Sequence, residues 1–363
     1  SSQRHTVEFT SMSKCTCVLL LAVACTAMHA PGSRQLLSAT RRNEENLLAA
    51  KKPLDKPPRL LQPLFGAVGL ATGAAWTTVV LTTIRSNQPL GAMMPSSTHG
   101  VFARTSVLSA LPLIASCYST LATASADSWE RLGSPTCRRI NLALVAAGLG
   151  SLLWVGFAPL ITQIPGSSPL VSHQSYSGLQ RAALLGAYGS TAALSAAVWA
   201  RSLPEEARRK PLSWPGRVAD GVAQSLVSLG PARADDPVIV KYSLLSVSFL
   251  AFTATALGTF PLAVVPSWTG RRCSRAFAAW TLLAAASSFN LKEAAESGKL
   301  RADEACRTIS KGLKGLGAVY LAAKVGAVGF DPSFPAHYGI VKQVPAAQLA
   351  AALLFGLTLR PDE

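Results

Sequence analysis

The segment LLQPLFGAVGLATGAAWTTVVLTTI covers residues 60–84 and contains no charged side chain. A membrane-spanning α-helix needs about 20 consecutive, mostly apolar residues. Four other runs are also long, apolar and uncharged, namely Thr105–Ala126, Ile140–Ile164, Ala182–Ala200 and Tyr242–Gly270. Together they predict an all-α, polytopic integral membrane protein.

Three further segments are shorter or carry a charge: Ala276–Leu291, Gln343–Leu359, and Gly315–Phe330, which includes Lys324. With them the chain has about eight predicted transmembrane helices. The alternative for these three is a buried soluble or re-entrant helix, because each is short for a full crossing.

Composition supports a membrane protein. Hydrophobic residues make up 49% and charged residues 14% of the chain, whereas soluble domains average about 25% charged residues. The net charge is +16, which by itself is also typical of nucleic-acid binding. The basic residues lie between apolar runs, so the predicted partners are the lipid bilayer and other membrane-protein subunits, with no nucleic acid.

Two segments of the chain resemble each other. TCRRINLALVAAGLGSLLWV begins at Thr136 and ACRTISKGLKGLGAVYLAAK begins at Ala305; one constant offset pairs Cys137 with Cys306 and Gly148 with Gly317. This predicts two tandem four-helix membrane units, residues 62–200 and 242–363. An even number of helices in each unit makes the units parallel, with a two-fold axis along the membrane normal.

The distribution of basic residues predicts the orientation. Lysine and arginine concentrate on the side of a membrane that is not translocated. Eight spans place most of them on one side, here called side A, together with the segment before the first span, the connection 201–241 and the segment after the last span. The opposite side, side B, would hold fewer basic residues: Arg85, Arg104, Arg181, Arg271, Arg272, Arg275 and Lys342.

The connection 201–241 has apolar residues at helical spacing, among them Trp214, Val218, Val222 and Leu226. This spacing predicts an interfacial helix on side A. The basic residues just before it, Arg208, Arg209 and Lys210, are expected to contact anionic lipid head groups.

Residues 1–61 have the composition of a leader. Met12 is the expected start, and the short apolar core that follows Lys14 is typical of a signal peptide over about residues 12–27; a ninth, N-terminal anchor is the alternative. A basic segment follows. A signal peptide alone would translocate this segment across the membrane, whereas the distribution of basic residues predicts that it stays on side A. The combination resembles the bipartite leaders of plastids acquired by secondary endosymbiosis. The resemblance implies a plastid membrane of a secondary-plastid alga; the endoplasmic reticulum or another endomembrane is the alternative.

Few residues are candidates for a functional site. Lys324 is the only Lys, Arg, Asp, Glu or His inside a predicted span. A charged residue within the membrane is a candidate for a functional role, unless its side chain extends to the membrane interface. His173 and His337 are matched by the repeat and are cofactor-binding candidates, for a pigment or a metal; solvated loop residues are the alternative. Gly148 and Gly317 are predicted to lie at helix–helix contacts.

No catalytic motif occurs, and the seven cysteines lack metal-ligand spacing. We therefore expect no metal site and no catalytic residues, and the cofactors stay undefined. The favoured function is a non-catalytic integral membrane subunit or scaffold of a larger membrane complex, and the membrane favoured for that complex is that of a plastid. The alternative is a small-solute or lipid transporter built from a parallel internal repeat, and an enzyme is less favoured.

Overall fold

The computed structural model describes residues 57–85, 106–153, 178–203, 205–233, 235–257, 268–330 and 352–362. Within these ranges every regular element is helical. The long helices are α1 Leu61–Arg85, α2 Ala110–Asp127, α3 Pro135–Ser151, α4 Gly178–Ser202, α5 Trp214–Val227, α6 Pro237–Leu257, α7 Trp268–Glu296, α8 Glu304–Phe330 and α9 at residues 352–357. Shorter helical turns lie at Ser106–Ser109, Trp129–Leu132, Glu205–Arg208 and Pro211–Ser213.

Four of the described helices are long and apolar enough to cross a membrane, judged by length and composition: Leu61–Leu81, Val107–Asp127, Gly178–Ser202 and Pro237–Ala254. The chain is therefore an all-α protein whose helices suit a lipid bilayer. The other long helices carry more charged residues, as α7 and α8 do, or are described over a shorter range, as α3 is.

Capping residues determine where the helices begin and end. At the start of α3, the Ser134 hydroxyl accepts a hydrogen bond from the Cys137 amide at 3.3 Å. Asp236 before α6 and Asp303 before α8 accept backbone amides in the same way, at 2.8 and 2.9 Å. Helix α7 ends at Glu296, and Gly298 just after it has a φ of +68°, the left-handed conformation that glycine adopts at helix C-termini.

One predicted boundary was wrong. The predicted span Tyr242–Gly270 combines two helices, because α6 begins at Pro237 and Trp268–Gly270 already belongs to α7. The uncharged run extends from Tyr242 in α6 to Gly270 in the first turn of α7, so the apolar run alone could not separate the two helices. Helix α8 likewise begins earlier than the apolar segment Gly315–Phe330, at Glu304 after its Asp303 cap.

The helices form one bundle around a continuous apolar core. Helix α1 packs on α2 and α4, and α6 packs on α7. Helix α2 also packs on α8, and α7 packs on α3. The largest fully buried side chains are aromatic and come from several helices, among them Trp76, Tyr188, Phe249 and Trp280.

Candidate functional site

Most of the charged side chains that interact with one another lie at one end of the bundle. This end holds the starts of α3, α6 and α8, the ends of α2, α4 and α7, and residues 358–362. The residues at this end are those predicted from the sequence to lie on side A. The polar networks around Asp362 and around Arg139 both lie here.

The carboxylate of Asp362 lies among four donors from two helices. One oxygen accepts from Lys241 Nζ at 2.7 Å and from the Tyr242 hydroxyl at 2.6 Å. The other accepts from the Ser310 hydroxyl at 2.9 Å and lies 3.0 Å from Lys314 Nζ. We call these five residues the Asp362 cluster. It connects the segment after α9 to the starts of α6 and α8.

Burial gives the Asp362 cluster its electrostatic character. The side chain of Lys241 is only 1% exposed and that of Asp362 is 19% exposed. Burial by itself raises the pKa of Asp362, but the hydrogen bonds from Lys241, Tyr242, Lys314 and Ser310 outweigh it and hold the pKa well below its ordinary value. The carboxylate therefore stays ionised at neutral pH and balances a buried ammonium group.

The second network joins α3 to α7. Arg139 binds both carboxylate oxygens of Glu293, with Nη2 at 3.0 Å from Oε1, and it also donates to the amide oxygen of Asn290 at 3.2 Å. The amide nitrogen of Asn290 donates to the Thr136 carbonyl at 3.3 Å. The guanidinium carbon of Arg139 lies 4.7 Å from the centre of the Phe289 ring. A bidentate pair of this kind fixes the orientation of two helices as well as their separation.

Hydroxyl groups connect helices deeper in the bundle. Thr72 on α1 and Thr191 on α4 lie 2.6 Å apart, and the Tyr118 hydroxyl on α2 donates to Thr191 at 2.9 Å. Thr253 and Thr281 make a similar contact between α6 and α7, at 2.8 Å. These buried groups satisfy one another across helix interfaces, which is the way polar side chains stabilise membrane bundles.

The structure places the two predicted glycines at helix contacts. A Cβ atom built on Gly148 would lie 3.0 Å from the Tyr188 carbonyl oxygen and 3.3 Å from the Ala192 Cβ, both on α4. One built on Gly317 would overlap Thr358 and the Phe355 carbonyl, at and just after the end of α9. Each glycine therefore faces the backbone of the next helix described in its predicted unit, α4 for Gly148 and α9 for Gly317.

The other predicted site residues are described only in part or not at all. Lys324 lies in α8, but its side chain is outside the described part of the structure. His173 and His337 lie outside the described residues. Residues 1–56, with the predicted leader, do so as well.

The Asp362 cluster was not predicted from the sequence. Lys241 lay one residue outside the predicted span Tyr242–Gly270, so it counted only as a side A cation. Because α6 begins at Pro237, Lys241 lies within an apolar helix that is long enough to cross the membrane. A lysine at the edge of a long apolar run was the available signal, but nothing in the sequence names Asp362 as its partner.

The two charged networks connect helices of the same chain. Among the described residues no group of three or more His, Cys, Asp or Glu residues could hold a metal ion. Both charged networks place their carboxylates against cations of the same chain. Comparison with known proteins gives no further assignment, because no family model, curated protein or solved structure matches this chain.

Proposed function

We propose that this chain is a non-catalytic integral membrane subunit or scaffold of a larger complex, built from eight membrane helices in two tandem four-helix units. The observation that carries the proposal is the use of the polar side chains at the helix interfaces. Arg139, Glu293 and the Thr72–Tyr118–Thr191 contacts all join one helix to another. Such an arrangement suits a bundle that presents a fixed shape to its neighbours.

The burial pattern of α3 and α8 supports two related units. At the offset that pairs Cys137 with Cys306, each buried position from Cys137 to Ser151 is matched by a buried position from Cys306 to Tyr320. The caps Ser134 and Asp303 pair at the same offset. The ends of α2 and α7, at Asp127 and Glu296, also pair at this offset.

The packing of the helices supports a two-fold relation between these units. Helix α2 of the first unit packs on α8 of the second, and α7 of the second unit packs on α3 of the first. Since α2 corresponds to α7 and α3 to α8, exchanging the two units turns the α2–α8 contact into the α7–α3 contact. Near the middle, Cys117 on α2 approaches Ser287 on α7, with 3.7 Å between sulfur and oxygen. Contact between equivalent helices is expected where they cross a two-fold axis.

Both contacts between the units are close. On one side Arg139 and Glu293 form their bidentate pair. On the other, a Cβ on Gly315 would lie 2.6 Å from the Pro112 Cβ, so α8 can approach α2 only without a side chain there. Units that rock against each other must separate such contacts in every cycle, which favours a scaffold over a moving transporter.

An outward face of α4 gives the proposed place for a partner helix. Gly186 and Gly189 have nothing within 4 Å of an added Cβ. A glycine costs about 1 kcal/mol of helix stability relative to alanine, and close helix packing can offset this cost. Within the described chain nothing offsets it at these two positions, whereas Gly148 on α3 does have close contacts.

The test is native electrophoresis after gentle solubilisation from the natural membrane. If the chain is a subunit, the wild-type protein should comigrate with a large complex. The double variant Gly186→Leu/Gly189→Leu should no longer comigrate with that complex, but the thermal stability of the chain in detergent should be unchanged. The matched control is Ala223→Leu, an exposed position on α5 away from that face. Migration of the wild-type chain alone or as a small oligomer would contradict the proposal.

A transporter for a small solute or lipid is the second candidate. The matched burial of α3 and α8 favours it, because parallel repeats are a common basis of transporters. It predicts the opposite electrophoretic result, migration alone or as a small oligomer.

For location, we propose a plastid membrane, with another endomembrane as the alternative. The support is the composition of residues 12–60, in which an apolar segment precedes a basic one. Peptide mapping of the protein purified from its membrane tests the leader. Peptides that cover Cys15–Ala27 should be missing, and their recovery would contradict cleavage.

A further inference from the structure

We propose that α5 is an interfacial anchor that binds the anionic lipid surface of the bilayer around the bundle. The inference does not depend on whether the chain is a subunit or a transporter. It rests on where α5 is held, on the direction of its apolar face and on the charge beside it.

Contacts at both ends hold α5 at the end of the bundle. At its start, Trp214 makes an edge-to-face contact with Trp199 of α4, with 5.9 Å between the ring centres. Just after its end, the Ser228 carbonyl accepts from Lys292 Nζ of α7 at 2.6 Å. Further on, the Ala232 amide donates to Glu296 at 3.0 Å. Helix α5 therefore lies between the ends of α4 and α7, at the level where these helices leave the apolar layer.

The apolar face of α5 is only half covered by protein. Trp214, Val218, Val222 and Leu226 recur every four residues and share a face. Trp214 and Val218 pack against Trp199 and Leu203 at the end of α4, with Leu142 of α3 nearby. Val222 and Leu226 continue the same face but are 51% and 43% exposed.

The covered half shows which way this face points. Trp199 belongs to a helix long enough to cross the membrane, and Leu142 belongs to its neighbour. The face of α5 that contacts them therefore points into the bundle and the apolar layer. Beyond the edge of the bundle the same face meets the lipid, and Val222 and Leu226 are placed to enter the boundary between head groups and acyl chains.

Basic residues flank this face. Arg209, Lys210 and Arg217 are exposed, and Arg208 is half-buried beside them. Arg209 pairs with Glu205, but both side chains are largely exposed, at 76% and 66%, and exposed pairs of this kind exchange readily for other anions. A lysine or arginine near an anionic bilayer surface strengthens binding about fivefold. This charge favours an anionic lipid surface over a partner protein or a second copy of the chain.

The test is backbone amide exchange of the full chain in lipid nanodiscs. One set contains phosphatidylcholine alone and the other adds phosphatidylglycerol. Exchange over residues 214–227 should be slower by about tenfold or more in the anionic discs, given several basic residues beside the helix. Raising the salt concentration should reduce the difference, because screening shortens the range of charge interactions.

Two variants separate the contributions of charge and of apolar contact. Arg208→Gln/Arg209→Gln/Lys210→Gln should lose the dependence on phosphatidylglycerol. Val222→Ser/Leu226→Ser should exchange fast in both lipids. The matched controls are Arg307→Gln/Lys311→Gln, exposed basic residues on α8, and Ala219→Ser/Ala223→Ser on α5. Both controls should behave as wild type, and exchange over α2 checks that every variant is folded.

Equal exchange of the wild-type helix in the two lipids would overturn the proposal, and so would full protection of Val222→Ser/Leu226→Ser. Fast exchange in both discs, with protection only in the natural membrane, would assign the face to a protein partner and overturn it too.

Discussion

Lys241 is a buried cation whose charge needs compensation. An ammonium group out of water costs several kcal/mol unless an opposite charge and further hydrogen bonds accompany it. Asp362 supplies the charge, and the Arg360 carbonyl accepts a second hydrogen bond from Nζ at 2.6 Å. The short segment after α9 is therefore part of what stabilises the start of α6.

Replacing Asp362 by alanine should destabilise the protein by about 3 kcal/mol, because removal of one partner leaves a buried charge uncompensated. The measurement is thermal or denaturant unfolding in detergent. The matched control is Asp235→Ala, an exposed aspartate beside the start of α6. Adding Lys241→Met to Asp362→Ala should restore part of the loss, and an Asp362→Ala protein as stable as wild type would contradict this account of the cluster.

The same cluster predicts a dependence on pH. The pKa of Asp362 is lowered in the folded protein from an ordinary value of 3.8. Its stabilisation is therefore fully present above about pH 4 and is lost as the pH falls toward the folded pKa. Unfolding curves between neutral pH and pH 3 should fall more steeply for the wild type than for Asp362→Asn. Parallel curves would show that the carboxylate contributes no pH-dependent stability.

Single residues also show the limit of prediction from sequence. Gly148 and Gly317 were singled out by the internal match, and the structure places both against a neighbouring backbone. Lys241 and Asp362 are 121 positions apart, and no periodicity connects a helix start with the far end of the chain. Such a pair depends on tertiary packing, which brings the end of the chain back to α6.

At the scale of helices, four of the predicted runs overlap the four described helices that are long and apolar enough to cross a membrane. The predicted run 60–84 is α1, and Ala182–Ala200 lies inside α4. The helix ends were harder to predict, because they depend on caps such as Ser134 and Asp303 that lie outside the apolar runs. The sequence also predicted a helix in the connection 201–241, and α5 forms there.

Close helix contacts at glycine predict a graded loss of stability. Replacing Gly148 or Gly317 by leucine should push two helices apart and cost about 1–3 kcal/mol, as expected for overpacking. Gly317→Leu should be the worse variant, because its added Cβ would overlap atoms of Thr358 and Phe355, whereas the contacts at Gly148 begin at 3.0 Å. Thermal stability of the purified variants in detergent measures the order.

Gly186→Leu is the matched control for these glycine variants, since an added Cβ there meets nothing within 4 Å. It should unfold like the wild type in detergent. If Gly148→Leu and Gly317→Leu also unfold like the wild type, the close approach of these helices does not limit stability.

At the scale of the whole molecule, the proposed eight spans and the packing of α2 on α8 and of α7 on α3 determine how the two units are oriented in the membrane. With an even number of spans in each unit, the starts of α3 and α8 must face the same side of the membrane. The charged networks around Arg139 and Asp362 then share that side, which is also the side of the connection 205–233. The excess of basic residues there agrees with retention on the non-translocated side.

Single introduced cysteines test this topology. Lys210→Cys and Lys311→Cys occupy exposed positions, in the connection and on α8, and Ser172→Cys lies in the segment predicted on side B. Cys117, Cys137 and Cys306 are buried and should react slowly with an impermeant maleimide, and labelling of the parent protein measures the remaining background. In sealed vesicles of one orientation, Lys210→Cys and Lys311→Cys should react from the same face. If that face is outside, Ser172→Cys should react only after permeabilisation; if it is inside, Ser172→Cys should react at once and the other two only after permeabilisation.

Reaction of Lys210→Cys and Ser172→Cys from one face would require another number of spans in the first unit. Reaction of Lys210→Cys and Lys311→Cys from opposite faces would make the two units antiparallel, and the two-fold axis could then not lie along the membrane normal.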